Sequence, residues 1–540
     1  MLVEDDTIGG AFDRVAGTFA NHDFMVVPKD VGRRYYSGGF THTFYSASSV
    51  VDDLTVALRG KGYGHGHRIA VLLENRPEML LLKLACNKLG VSWVPLNPDY
   101  RTAEMAYVLR DSDAVLVVTV ASHEDTVRAA VDEAGIAAQM ALWGDDAGLT
   151  DLPMAVALAP IGGAVDAQSE ASLLYTSGTT GQPKGCIMSH EYELMMGAWY
   201  ASRGGLFTLQ TGAERVYNPL PLFHVNAGIV QFYGLMLSGN CMVIPERFSR
   251  TRWWSEIRET GSTGCHYLGV VIPVLMNELV SDADRDHPLR WGFGAGVEPT
   301  LHRSFEERFG FPLIEVWGMT EMCRVLVACE EPRHIGSRAM GRPQVGLDVR
   351  VVDEADQDVD VGEPGEMVVR HSAEAPRKGA FSGYLNQEKA TEEGWRGGWW
   401  HTGDTVRQDA SGMLYFVDRK KNIIRRSGEN IAAAEVEAVL QAHEAVAQVA
   451  VMAVEDEMRD EEVLACVVSS SGANDAELAL TLFEECYAQL TYYKAPGWIV
   501  FIEKLPVTGT QKVLKHKIFG EDVDPRQLPQ AHDFRDRKKR

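Results

Sequence analysis

Leu173-Leu174-Tyr175-Thr176-Ser177-Gly178-Thr179-Thr180-Gly181-Gln182-Pro183-Lys184-Gly185 is the stretch on which the reading of this chain turns. An apolar run typical of a strand enters a loop of glycines and hydroxyl residues, ends in a lysine, and continues into the second strand-like run 186–188. Small residues let backbone N–H groups approach an anion closely, hydroxyls add donors, and the Lys184 ammonium adds charge. The pattern suits phosphate. It is not the GxxxxGK[ST] loop, because Pro183 precedes the lysine and a strand rather than a helix follows.

On the N-terminal side, apolar spacing predicts helices over 49–61, 77–89 and 102–110, with strands over 68–73 and 114–118. On the C-terminal side the alternation resumes, with a helix over 190–201, a strand over 241–244 and a helix over 251–260. Such alternation indicates an α/β fold with a largely parallel sheet. From 341 to 418 short β-rich pieces such as 349–352 and 366–370 alternate with Gly, Pro and Asp turns, as in a small barrel or antiparallel sheet. After Asp418, helices over 432–441 and 475–490 and strands over 447–454 and 463–469 form a small α+β unit.

The glycine-rich loop resembles the phosphate-binding signature of the adenylate-forming superfamily, which includes acyl-CoA synthetases, peptide-synthetase adenylation domains and firefly luciferase. Further segments resemble that family's motifs in the family's order. They are Pro219-Leu220-Pro221-Leu222-Phe223-His224, Gly294-Ala295-Gly296-Val297-Glu298-Pro299 and Trp317-Gly318-Met319-Thr320-Glu321. Gly365-Glu366, Trp400-His401-Thr402-Gly403-Asp404 and Asp418-Arg419-Lys420-Lys421 follow. Ser427-Gly428-Glu429-Asn430, Tyr493-Lys494-Ala495-Pro496 and Pro506-Val507-Thr508-Gly509-Thr510-Gln511-Lys512 complete the set, so the resemblance spans roughly 40 to 518. Trp317 stands where Tyr is more usual, Asn422 where an acid is common, and Ala432-Ala433-Ala434 where a Pro often precedes the helix.

The resemblance implies a large N-terminal domain, 1–418, of two α/β subdomains and a barrel-like subdomain, a hinge at 419–421, and a mobile α+β domain, 422–540. It implies a ligase that makes an acyl-adenylate from ATP and a carboxylic acid and passes the acyl group to coenzyme A. In that scheme Thr176, Ser177, Gly178, Thr179, Thr180, Gly181 and Lys184 cradle phosphates. Thr320 touches phosphate and Glu321 ligates Mg²⁺. Gly296, Glu298, Glu315, Trp317 and Gly318 lie on the adenine side, and Asp404 with Arg419 on the ribose. Lys512 bridges the carboxylate and the α-phosphate, His224 belongs to the catalytic acid pocket, and Gly428 enters after rotation about the hinge to make room for pantetheine. Loading of a carrier protein is the alternative, and a non-catalytic relative is disfavoured because Lys512, Glu321 and Asp404 are all present. The pocket segment 223–228 lacks the acid that would hold an amino group, and 264–270 is most like carnitine/crotonobetaine-type ligases. Arg324, in the apolar run Met322-Cys323-Arg324-Val325-Leu326, either anchors a distal anionic group of the acid or turns to solvent or a local acid.

Composition narrows the partners. A net charge of −23 repels a nucleic-acid backbone. The eight cysteines form no CxxC pair and read as reduced thiols. No run reaches the ~18 apolar residues of a membrane span, and 1–10 has no signal-peptide pattern, so a cytoplasmic enzyme is expected, with a homodimer an open option. The basic ending 535–540 is expected to be a solvated, frayed tail, with a weak anion contact as the alternative.

Overall fold

The computed structural model describes residues 6–540 apart from 146–147, 177–182, 323, 420–421, 427–428, 457–458, 473, 491, 508–512, 521–522 and 539–540. The chain forms two compact units, Met1–Asp348 with Val369–Trp400, and Val349–Val368 with His401–Arg540. No helix among the described residues is long and apolar enough to cross a membrane.

The first unit is built on two sheets of eight described strands each. In one, the parallel core Ser92–Pro95, Arg68–Leu72, Leu116–Val120 and Gln139–Gly144 is joined at Ser92–Pro95 by Glu170–Thr176. That strand turns back antiparallel into Lys184–Ser189, which pairs with Gly383–Tyr384. Apolar runs such as Arg68–Leu72 become central strands because helices cover both faces of a parallel sheet. In the other sheet Arg215–Tyr217, Gly264–Leu268, Trp291–Ala295 and Leu313–Trp317 lie side by side in parallel. Leu326–Val327 closes its edge antiparallel to Leu313–Trp317. The predicted helices over 77–89 and 190–201 are Pro77–Lys88 and His190–Ala201.

Pro77–Lys88 is buried on nearly every side, yet it carries a lysine at its centre. The Lys83 ammonium lies 3.0 Å from Glu193 on His190–Ala201, and neither side chain has accessible surface. It also donates to the Gly228 carbonyl at 3.1 Å and lies over the rings of Trp93 and Tyr233. Burial holds its affinity for a proton below that of a free lysine.

In the second unit Asp348–Val352, Pro364–Arg370, Trp400–Gln408 and Leu414–Arg419 are neighbours in one sheet. The α+β part packs helices Ala433–Gln441 and Ala476–Gln489 on a sheet centred on Asp460–Ser469, around Val436, Leu440, Val463, Leu482 and Ile499. Asp418 ties its start together, accepting from Asn422 at 3.2 Å and from the first-turn N–H of Ala434 at 3.0 Å. As far as it is described, through Lys538, the basic ending is not frayed. Ala531–Asp533 adds a strand to the sheet, and the Lys538 ammonium is buried 2.6 Å from Glu462. Arg426 approaches the same carboxylate at 2.8 Å. The tail docks because Glu462 is fully buried and needs cations around it. Burial pushes the Lys538 ammonium down to about 8. Replacing Lys538 by Ala leaves Glu462 with Arg426 and, at 3.4 Å, Arg459, and the C-terminal unit is expected to lose about 2–3 kcal/mol. Urea unfolding, with hydrogen exchange across Asp460–Ser469, measures this, and a K538M/E462Q double substitution should recover most of it.

Candidate active site

The loop quoted at the outset lies at the end of an antiparallel hairpin, with Thr176 opposite Lys184. Its stem is braced from outside, since the Tyr175 hydroxyl donates to Asp111 at 2.7 Å and the Tyr107 hydroxyl to the Pro183 carbonyl at 3.1 Å. Lys184 emerges with its ammonium 4.8 Å from the centre of the Tyr384 ring. The hydroxyl of that tyrosine donates to Glu321 at 2.7 Å. One side chain therefore joins the lysine of the loop to the carboxylate of the Trp317–Glu321 segment. Burial, then the Glu321 charge, keeps the Tyr384 phenol protonated far above neutral pH.

Four adjacent parallel strands of the second sheet deliver the other groups from their C-terminal ends, where open α/β sheets bind ligands. Arg215–Tyr217 leads to Asn218 through His224, Gly264–Leu268 to Gly269, Trp291–Ala295 to Gly296, and Leu313–Trp317 to Gly318 through Glu321. Gly269 and Gly296 touch through their backbones, leaving no room for a Cβ on Gly269. Gly296 has φ +83°, a conformation that favours glycine. The Thr320 carbonyl accepts from Tyr192 at 2.8 Å. Glu315 turns both oxygens inward, accepting from Gly296 N–H at 3.1 Å, Val297 N–H at 3.2 Å and the Tyr267 hydroxyl at 2.9 Å. It holds the glycine loop, and burial raises its proton affinity. Glu298 heads the helix Pro299–Phe309 with Arg338 at 3.5 Å, Trp317 is buried, and Gly318 is exposed. His224 is deeply embedded but keeps accessible surface, and burial lowers its imidazole to about 4. It is neutral at pH 7.

In the second unit Asp404 is buried on Trp400–Gln408, opposite Arg419 of the neighbouring strand. Its backbone N–H donates to the Thr402 hydroxyl, which itself donates to the Met367 carbonyl at 2.6 Å. Glu366 accepts from Gly403 N–H at 3.2 Å.

Residues 12–385 match the family described as AMP-binding enzyme, and 435–512 match the AMP-binding enzyme C-terminal domain. The chain belongs to the AMP-binding enzyme family. It is 31% identical over 487 residues to a sulfoacetate–CoA ligase of Cupriavidus necator, covering 89% of this chain and 93% of that one. It is 28% identical over 534 residues to a crotonobetaine/carnitine–CoA ligase of Citrobacter koseri, covering 95% and 100%. The fold matches the o-succinylbenzoate CoA synthetase MenE of Bacillus subtilis, solved with its acyl-adenylate, at a TM-score of 0.80, 24% identity and coverage of 97% and 100%. It also matches ATP-bound MatB of Rhodopseudomonas palustris, at 0.79, 22% identity and coverage of 95% and 98%.

Of the residues singled out as AMP-binding enzyme signatures, the structure gathers Thr176, Lys184, Thr320 and Glu321 on two of the first unit's antiparallel strand pairs and the loops that join them. Ser177, Gly178, Thr179, Thr180, Gly181, Gly428 and Lys512 lie outside the described residues, as does the side chain of Arg419. Arg324 makes no ion pair among the described residues. Its guanidinium lies against Gly346, with Nη1 3.4 Å from the Val345 carbonyl and a buried, unpartnered Nε. Sequence reasoning missed Tyr384 and Lys83. Tyr384 lies 200 residues beyond Lys184, and only strand pairing brings it there. Lys83 carried a signal, a charged residue amid Leu80, Leu81, Leu82 and Leu84, that periodicity alone does not interpret. Tyr384→Phe keeps the ring under Lys184 and removes the bond to Glu321. It is expected to lower kcat/KM for ATP about 10-fold with an unchanged Tm, as fits loss of one hydrogen bond to a charged group.

Proposed function

We infer that this protein is an AMP-forming acid–thiol ligase that joins a carboxylic acid to coenzyme A. The observation that carries this is the Lys184–Tyr384–Glu321 link, which joins a phosphate-type loop to the carboxylate at the mouth of four parallel strands. The acid's carboxylate oxygen attacks the α-phosphorus of ATP, the bond to the β,γ-phosphates breaks, and pyrophosphate leaves. The coenzyme A thiol then attacks the acyl carbonyl, loses its proton, and AMP leaves. Both anions must be held together before the first step, so donors and cations arranged in advance supply much of the rate.

On this reading Thr176–Gly181 and Lys184 hold the β,γ-phosphates, Gly296 and Trp317 border adenine with Glu315 bracing the loop, and Asp404 accepts the ribose hydroxyls beside Arg419. Lys512 offsets the charge that builds during attack, and neutral His224 borders the carboxylate's entry without adding charge. Glu321 offers hard oxygen to Mg²⁺, and no cluster of three or more His, Cys, Asp or Glu able to hold a metal exists among the described residues. This fits an ion bound through one carboxylate, phosphates and water, where it would neutralise phosphate charge. Residues 419–421 act as the hinge between 1–418 and 422–540, in a cytoplasmic enzyme. Products of AMP and pyrophosphate support the reading; ADP and orthophosphate would overturn it. Single-turnover kinetics should separate the half-reactions. Lys512→Ala is expected to slow adenylate formation by roughly 10²–10³ while still transferring a pre-made acyl-adenylate. Gly428→Leu should make the adenylate and stall before the thioester.

The acid itself carries a distal anion, held by Arg324. The support is a guanidinium that pairs with no described carboxylate and keeps a buried Nε without a partner, together with the likeness to a sulfoacetate–CoA ligase. Arg324→Leu is expected to lower kcat/KM at least about 10-fold for acids with a distal carboxylate or sulfonate, and to leave uncharged acids unaffected. Equal values for both classes in the wild type and the variant would remove the role.

A further inference from the structure

A chain of buried side chains crosses the floor of the His224 segment, and its hydrogen-bond directions are fixed by the backbone at both ends. Asn218 accepts from Leu220 N–H at 2.9 Å, which identifies that atom as Oδ1 and leaves its Nδ2 as a donor. The donor reaches Gln231 Oε1 at 2.7 Å and Asn226 Oδ1 at 3.2 Å. Gln231 is fixed independently, because its Nε2 donates to the Val216 carbonyl at 3.1 Å. Asn226 must therefore turn its oxygen toward Asn218. The same oxygen lies 2.8 Å from His266 Nδ1. An oxygen can only accept, so Nδ1 carries the proton and Nε2 is the acceptor, filled by the Tyr200 hydroxyl at 2.8 Å. Burial drives the His266 imidazole down to about 3, so it holds this neutral tautomer at working pH.

Every group in the chain is satisfied except one. The carboxamide N–H₂ of Asn226 has no partner among the described residues, and Asn226, unlike the fully buried Asn218, Gln231, His266 and Tyr200, keeps accessible surface. Asn226 also opens the π-helical turn Asn226–Gln231, whose Gly228 carbonyl is held by Lys83, so its backbone is as fixed as its amide. Its partner His266 lies two residues inside the strand Gly264–Leu268, whereas Gly296 and Gly318–Glu321 lie beyond their strand ends. At ~3.3 Å per residue, His266 therefore lies roughly 7 Å back from the end of its strand.

We propose that Asn226 is a specificity-determining residue: its oriented N–H₂ donates to an oxygen acceptor carried by the acid beyond its reacting carboxylate. This rests on the ligase reading and names the class of acid, a short acid with a keto, hydroxyl, carboxylate or sulfonate oxygen rather than a plain alkyl chain. Sites built to hydrogen-bond a substrate group reject isosteres without it, because their own donor is left unpaired.

Levulinate and isocaproate test this, since they are both monoanionic and differ in a carbonyl oxygen against a methyl group, which separates the hydrogen bond from the charge effect of Arg324. The assay is acid-dependent pyrophosphate release, with thioester formation followed in parallel. The wild type is expected to favour levulinate by about 10-fold or more in kcat/KM. Asn226→Leu should bring the ratio close to unity, lowering the value for levulinate and raising it for isocaproate. Asn226→Asp keeps the size but offers only acceptors, so it should penalise levulinate further. A wild type without preference, or an equal loss for both acids in Asn226→Leu, overturns the proposal; the latter would place Asn226 on the reacting carboxylate. Pyrophosphate release that depends on either acid tests adenylation whatever the ratio, so the two readings fail separately.

Discussion

The Lys83 ammonium is buried where three elements of the first unit meet, 3.0 Å from Glu193 and 3.1 Å from the Gly228 carbonyl. A charge taken this far from water is tolerable only when paired and hydrogen-bonded in good geometry. That requirement locks Pro77–Lys88 to His190–Ala201 and both to the turn that follows His224. A Cβ on Gly228 would overlap the Leu222 carbonyl, so the turn closes tightly onto the segment before it. The His224–Gln231 segment inherits its shape from this contact, because Asn226 and His224 are both held by backbone whose position the buried pair decides.

The nucleotide side follows a different principle. Parallel strands align their C-terminal ends, and the loops leaving those ends must converge on one crevice. The second sheet uses this in four neighbouring strands, while antiparallel pairing adds Lys184–Ser189 to Glu170–Thr176 in the first sheet and Leu326–Val327 to Leu313–Trp317 at the edge of the second. Tyr384 spans the gap between the two, its ring under a cation and its hydroxyl on an anion. Glu315 shows the same economy, a buried carboxylate spent on two backbone N–H groups so that a glycine loop keeps one conformation.

Electrostatics divides the labour. His224 and His266 are kept neutral by burial, so neither adds charge to the His224 segment or the strand beneath it. In the second unit the same physics serves stability, since Glu462 gathers Arg426 and Lys538 and thereby fixes a tail that would otherwise be solvated.

The sequence by itself determined the order and nature of the elements, from Arg68–Leu72 to Ala476–Gln489, because apolar period and run length are local properties. It also marked Thr176, Lys184, Thr320, Glu321 and Asp404, because ordered motifs of small, hydroxyl and charged residues carry their chemistry in their identities. Three things were decided only by tertiary structure. Tyr384 joined the site through a strand pairing 200 positions away from Lys184. The basic tail docked because Glu462, a residue with no local reason to be buried, needed a partner. The direction of the Asn226 amide followed from two backbone groups, Leu220 N–H and the Val216 carbonyl, reached through side chains from separate segments. Periodicity records which face of an element is apolar; it holds no information on which buried charge or donor meets which partner, and that is settled only when the elements pack.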